Sequence, residues 1–219
     1  MKALVFDLDG TLIDSARDIT AAVNAAMRAL GRPEHPIAAV HAMIGHGARF
    51  LVASALATDD EALIERGRAA FMAYYEAHPI DHTRPYPGVV EMLEALRDDG
   101  CALAVATNKP ALMTRLVIER LGLDRAGIIA SASADEVPRR KPDPAVLHLA
   151  LARAGADAAI AYVGDMGVDV ATARAAGVPA VAVAWGLAPK DARAAKADVW
   201  VERPSELLER VREWRKARP

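Results

Sequence analysis

Beyond Gly88 the chain alternates short apolar runs with helical segments, and this alternation constrains its fold more than any other feature. A helix over Val89 to Arg97 leads to an apolar strand at Cys101-Ala102-Leu103-Ala104-Val105-Ala106. A helix over Ala111 to Leu121 and a strand at Ile128-Ile129-Ala130 follow. The pattern repeats as helix Ala145 to Ala154, strand Ala159 to Val163, helix Val168 to Ala176 and strand Pro179 to Val183. A late strand, Val199-Trp200-Val201, precedes a C-terminal helix from Pro204. Uninterrupted apolar strands of this kind are buried on both faces. Strands alternating with helices predict a parallel sheet, so the expected fold is α/β, a Rossmann-like parallel-sheet core with helices on both faces. The run Ala3-Leu4-Val5-Phe6 supplies another such strand at the N-terminus.

Between these regions the character changes. From Ala16 to about His78 the period is helical, with no convincing strand. Ile19, Val23, Ala26, Met27 and Leu30 recur at spacings of three and four, until Gly31-Arg32-Pro33 ends the helix. A shorter segment follows Pro36, then the Gly-containing stretch Ile44 to Leu51, then a helix from near Asp59 through Tyr74. Thr83-Arg84-Pro85-Tyr86-Pro87-Gly88 is a hinge candidate rich in Pro and Gly. Residues 15–85 therefore read as an all-helical insertion, with residues 1–14 and 86–219 forming the core.

At 219 residues and a formal net charge of −2, the chain is large enough for such a core and is not a dedicated nucleic-acid binder. No apolar run approaches the roughly 18 residues of a membrane span, and no signal peptide is visible, so a cytoplasmic protein without a membrane partner is expected. Its single cysteine, Cys101, lies in an apolar run and reads as a buried residue. A monomer and a homodimer are both compatible with the sequence.

Chemistry gathers at the strand ends. After the first strand, Asp7 and Asp9 are spaced so that both face one centre, and Gly10 permits a sharp turn. Thr107 and Asn108 end the next core strand, as short donors before a helix N-terminus or as simple caps of it. Lys141 lies in the basic loop Arg139 to Pro144, where a cation suits a phosphate. Asp165 follows another buried strand, with Asp169 a helical turn further on. Carboxylates converging near Asp7 would suit Mg²⁺, a hard cation that also binds phosphate oxygens.

The conjunction of Asp7/Asp9, Thr107/Asn108, Lys141 and Asp165/Asp169 resembles the haloacid dehalogenase superfamily, specifically its phosphatases, across the whole chain. The helical block resembles that family's cap. Finer similarity, through Ile44-Gly45-His46-Gly47-Ala48, Arg84 to Val89 and Ala106 to Pro110, is to the phosphoglycolate phosphatase branch. The resemblance implies an Mg²⁺-dependent hydrolase of a small phosphomonoester, with Asp7 as nucleophile and Asp9 as general acid and base. It implies a metal held by Asp7, the Asp9 backbone carbonyl and Asp165, phosphate gripped by Thr107, Asn108 and Lys141, and Asp169 acting from behind. His46 and Arg49 are the cap candidates for substrate selection, Arg49 because it can read a carboxylate bidentately. Met166 departs from the family, where Ser often follows the metal-binding Asp.

Rival chemistries fit less well. A phospho-signalling receiver uses a strand-end Asp, a Thr and a Lys, but lacks the helical insertion and gives Asp9 no acid–base work. A sugar phosphomutase with a similar cap is the closer rival. Phosphonoacetaldehyde hydrolysis through a cap Schiff base is disfavoured because residues 15–85 hold no lysine. A dehalogenase needs neither Asp9 nor Mg²⁺.

Overall fold

The structure, a computed structural model, describes residues 2–216. Its main sheet has six parallel strands in the order β5-β4-β1-β6-β7-β8. These are β1 (Lys2–Phe6), β4 (Ala102–Thr107), β5 (Ile128–Ser133), β6 (Ala158–Gly164), β7 (Ala180–Val183) and β8 (Val199–Val201). β1 is central, and the chain winds to one side of it through β4 and β5 before crossing to the other through β6. The carboxyl end of β1 therefore sits where the winding reverses, the place at which open α/β sheets bind ligands.

Two-residue alternation sorts the strand side chains between two layers. Leu4 and Phe6 of β1, with Leu103 and Val105 of β4, face α5 (Val89–Asp98) and α11 (Pro204–Lys216). Ala3 and Val5, with Ala102, Ala104 and Ala106, face α8 (Ala145–Arg153) and α9 (Gly167–Ala175). The first layer is built of large side chains. On the second, alanines let the helices approach closely, and Tyr162 is a large, fully buried exception.

The segment 16–77 is helical: α1 (Ala16–Ala29), α2 (Ile37–His41), α3 (Ala48–Leu56) and α4 (Glu61–Ala77). The apolar stripe read from α1 is buried, with Ile19, Val23, Ala26 and Met27 joining Val52, Phe71 and Tyr75 in a separate cluster. Met113 of α6 (Ala111–Arg120) completes that cluster from the sheet side. Asp60 caps α4, accepting from the N–H groups of Ala62 and Leu63.

The chain enters and leaves this segment through a short antiparallel ribbon, β2 (Ile13–Asp14) against β3 (Arg84–Pro85). Asp18 of α1 clamps it by accepting from His82 N, Thr83 N and Thr83 Oγ1 at 2.6–3.0 Å. The sequence reading left 184–198 unassigned; the structure places α10 (Pro189–Ala194) there. It also adds the single turns α7 (Leu123–Ala126) and Ala134–Glu136, and carries β5 on to Ser133. Polar residues at a strand's end hide it from a hydrophobic pattern, and Ser131 and Ser133 do so here. Among the described residues no helix is long and apolar enough to cross a membrane.

Candidate active site

Asp7 is the first residue past β1 and is buried. Its Oδ1 lies 2.9 Å from Lys141 Nζ, although that contact lacks hydrogen-bond geometry and leaves the buried oxygen without a hydrogen bond. Lys141 is itself buried, and donates to Asp169 Oδ1 at 2.7 Å and to Tyr162 Oη at 3.0 Å. Tyr162 in turn donates to Ala106 O at 2.6 Å, fixing its hydroxyl as the acceptor Lys141 needs. Burial alone would lower the lysine's pKa, but Asp169 and Asp7 hold it well above its usual value.

Asp165 is the first residue past β6 and fully buried. Its Oδ2 accepts from Leu187 N at 2.7 Å and Ala188 N at 3.2 Å, and its Oδ1 from Thr11 Oγ1 at 3.2 Å. Two glycines admit this carboxyl. A Cβ on Gly10, whose φ is +85°, would stand 2.5 Å from Asp165 Oδ2, and one on Gly186 would stand 2.2 Å from Asp165 Cβ. Asp169 begins behind it on α9, accepting from Met166 N at 3.0 Å through the oxygen that Lys141 does not use.

Asp7, Asp165 and Asp169 offer carboxylate oxygens that all lie within 4.8 Å of one another. Three buried carboxylates face one ammonium, leaving a surplus of negative charge. Burial, opposed by Lys141 and reinforced by Asp169, pushes Asp7 up to about 6. Burial and the charges of Asp169 and Asp7 push Asp165 up to about 8, against the N–H groups of Ala188 and Leu187. A hard divalent cation bound to oxygens would relieve both the surplus and the orphaned Asp7 Oδ1. The residues present therefore fit a metal of the Mg²⁺ class.

Asp9 is engaged by two side chains through three contacts. Ser15 Oγ donates to its Oδ1 at 2.6 Å, and Lys109 Nζ donates to Oδ1 and Oδ2 at 2.9 and 3.1 Å. Over Asp7 and Asp9 lies a cavity of about 40 Å³, roofed by Ile44, Gly45 and Gly47 and walled by Phe71 and Tyr75. The glycine-containing loop between α2 and α3 thus reaches the site. It is held by Asn108 Nδ2, which donates to Gly45 O at 3.0 Å.

The structure brings Asp7, Asp9, Thr107, Asn108, Lys141, Asp165 and Asp169 together at the carboxyl ends of β1, β4 and β6. Three residues stand differently from the sequence reading. Asn108 lines the cavity, but its amide is occupied, Oδ1 accepting from Lys141 N at 3.0 Å and Nδ2 donating to Gly45 O. It braces the Lys141 loop and the roof rather than aiming a free donor at a phosphate. Arg49 is exposed, pairs with Glu61 of α4 and is absent from the cavity lining. Its position on the first turn of α3 turns the guanidinium toward solvent and Glu61. His46 packs against Phe50, with ring centroids 4.8 Å apart, and also lies outside the lining.

Met166, the departure from the resembled motif, keeps its N–H on Asp169 and turns its thioether toward the roof. A Cβ on Gly45 would come within 2.3 Å of Met166 Sδ. Met166 thus makes an apolar contact with the α2–α3 loop while the carboxylates stay in place.

Lys109, Tyr75, Ser15, Thr11 and Tyr162 are site residues that sequence reasoning missed. Tyr162 carried a signal, a hydroxylated side chain within a run otherwise built for burial, whereas Lys109 stands in the polar turn Thr107-Asn108-Lys109-Pro110 and reads there as an ordinary solvated cation. Tyr75 carried none, since an aromatic residue on a helical stripe reads as core.

A family model of haloacid dehalogenase-like hydrolases matches residues 1–177. The chain belongs to this family. A phosphoglycolate phosphatase of Xanthomonas campestris pv. campestris is 38% identical over 211 residues, 95% of each chain. One of Pseudomonas syringae pv. tomato is 42% identical over 195 residues, 84% of this hydrolase and 70% of that protein. Among solved structures, a protein of Haemophilus somnus described as a predicted phosphoglycolate phosphatase superposes with a TM-score of 0.87 at 27% identity, covering 96% of this chain and 98% of that one. The expected α/β fold and the resemblance to capped phosphatases are thereby established, and a phosphatase function is supported.

Proposed function

We propose that this hydrolase is an Mg²⁺-dependent phosphatase of 2-phosphoglycolate, releasing glycolate and phosphate, with residues 15–85 as its cap. The observation that carries the reading is the small cavity over Asp7 and Asp9, whose lining includes the buried cation Lys109. A space of about 40 Å³ holds a few waters, so any ester enters with movement of the roof, and a two-carbon ester needs the least. The names of the relatives point the same way.

Asp7 is the nucleophile, attacking phosphorus to give an aspartyl-phosphate. Lys141, 2.9 Å from its Oδ1, aligns the carboxylate and offsets charge on the transferring oxygens. Thr107 adds a hydroxyl at the end of β4, and Asn108 keeps the Lys141 loop and the roof in register. Asp9 protonates the leaving alkoxide, then accepts a proton from the water that cleaves the acyl-phosphate. Asp7, Asp165 and the Asp9 carbonyl would hold the metal, with Asp169 behind Lys141; when bound, it neutralises phosphate charge. The helical roof excludes water while phosphorus is transferred.

A panel of small phosphomonoesters with Mg²⁺ tests the substrate. We expect kcat/KM for 2-phosphoglycolate to exceed that for glucose 6-phosphate by about tenfold or more, the scale of discrimination a closed charged site provides. Sugar phosphates ahead by a similar factor would move the hydrolase to another branch of capped phosphatases.

A further inference from the structure

Among the described residues lining the cavity, the one cation is Lys109, contributed by the loop after β4. Its side chain is 2% exposed, and its three protons are all placed. Two go to Asp9, at 2.9 and 3.1 Å, and one to Tyr75 Oη at 2.6 Å, with the Tyr75 ring centroid 4.7 Å away. Tyr75 belongs to α4, so this ammonium joins the sheet loop to the helical roof. Burying an ion pair is a poor way to gain stability compared with packed apolar groups. The pair also competes with the chemistry given to Asp9, since both carboxylate oxygens, though Asp9 lines the cavity, are engaged by Lys109.

A carboxylate-bearing substrate resolves that competition. In 2-phosphoglycolate the carboxylate lies one methylene from the ester oxygen that Asp9 must protonate. It is chemically the same partner that Lys109 already holds. We propose that Lys109 is the residue that selects the substrate, binding its carboxylate in exchange for that of Asp9 and so freeing Asp9 to serve the leaving-group oxygen. Tyr75 is the positioning residue, fixing the ammonium from the cap. An uncharged ester is disfavoured twice, because it forgoes the ion pair and leaves Asp9 on Lys109. The inference rests on the phosphoglycolate reading above, but assigns its selectivity to the core loop rather than to His46 or Arg49.

The test uses the full chain with Mg²⁺, p-nitrophenyl phosphate as reporter substrate, and two non-hydrolysable inhibitors of equal length, 3-phosphonopropionate and propylphosphonate. They differ in the terminal carboxylate. In the wild type the carboxylate should improve Ki by about 10², the range for a contact whose loss strands a buried charge. Lys109→Met should shrink that ratio to about threefold or less, and Lys109→Arg should retain at least about tenfold. Tyr75→Phe keeps the charge and the fold, and should narrow the ratio about threefold to tenfold. If Lys109→Met does not fold by circular dichroism, Lys109→Gln replaces it, and Tyr75→Phe decides independently. A wild-type ratio that survives in the Lys109 variants and in Tyr75→Phe overturns the inference and leaves the phosphoglycolate reading standing. No ratio in the wild type overturns both.

Discussion

Lys141→Met replaces a buried ammonium by a neutral side chain of similar length, and its consequence can be worked from the contacts. The wild-type head lies 2.9 Å from Asp7 and 2.7 Å from Asp169, with Asp165 in the same carboxylate cluster. Removing one partner of a buried ion pair typically costs about 3–5 kcal/mol. At about 2–4 °C per kcal/mol for a domain of this size, the metal-free variant should melt roughly 6–20 °C below the wild type near pH 8. The carboxyls escape by taking up protons, and that escape is easier at low pH. Folded Asp7 and Asp165 are pushed up to about 6 and about 8, above the unfolded carboxylate range. The folded state therefore binds more protons than the unfolded state between about pH 4 and pH 8, so metal-free stability falls as pH rises through that window. Near pH 5 both groups already carry protons, and Asp169 is the main loser. The Lys141→Met penalty there should be roughly half of its value near pH 8. Calorimetry in EDTA at the two pH values, repeated with Mg²⁺, measures it, and Mg²⁺ should restore more of the loss at the higher pH. An equal penalty at both pH values would refute the electrostatic reasoning and assign Lys141 a packing role.

Further outcomes follow from individual contacts. Asp9→Asn should slow both formation and hydrolysis of the aspartyl-phosphate by about 10²–10⁴, and single-turnover kinetics with p-nitrophenyl phosphate isolates the second step, whose unchanged rate would remove Asp9 from it. Arg49→Ala should leave kcat/KM for 2-phosphoglycolate within about twofold, because an exposed ion pair with Glu61 is worth little; a tenfold loss would return Arg49 to the site. Asp18→Ala strands the buried Thr83 N–H and hydroxyl, and urea unfolding should show a loss of about 2–4 kcal/mol. A loss below 1 kcal/mol there would mean that the β2–β3 ribbon holds without its clamp.

How far the sequence could be read depended on the range of the interaction. Strand and helix periods are local, and the runs at Ala3–Phe6 and Ala102–Ala106 announced buried strands because each residue's face follows from its neighbour's. The helical stripe of α1 was legible for the same reason. The dyad Asp7/Asp9 and the acids Asp165 and Asp169 stood out because carboxylates beside buried strands need an explanation within the chain itself.

What the sequence alone determined, then, was the layered α/β plan, and its local periods also made the helices after Ser15 legible. Only the tertiary structure decided which polar groups pair across the strand ends. Lys109 meets Tyr75 over a separation of 34 residues and Asp9 over 100, and Leu187 N meets Asp165 across the loop after β7. Arg49 and Lys109 look equally able to read a carboxylate in one dimension. One lies on the first turn of α3 with its side chain toward solvent, and the other beneath a roof of Ile44 and Gly45. The difference is burial, which is set by how helices and sheet pack together and has no signature at the residue itself. A charge acquires its partner, and its strength, from the water that packing removes around it.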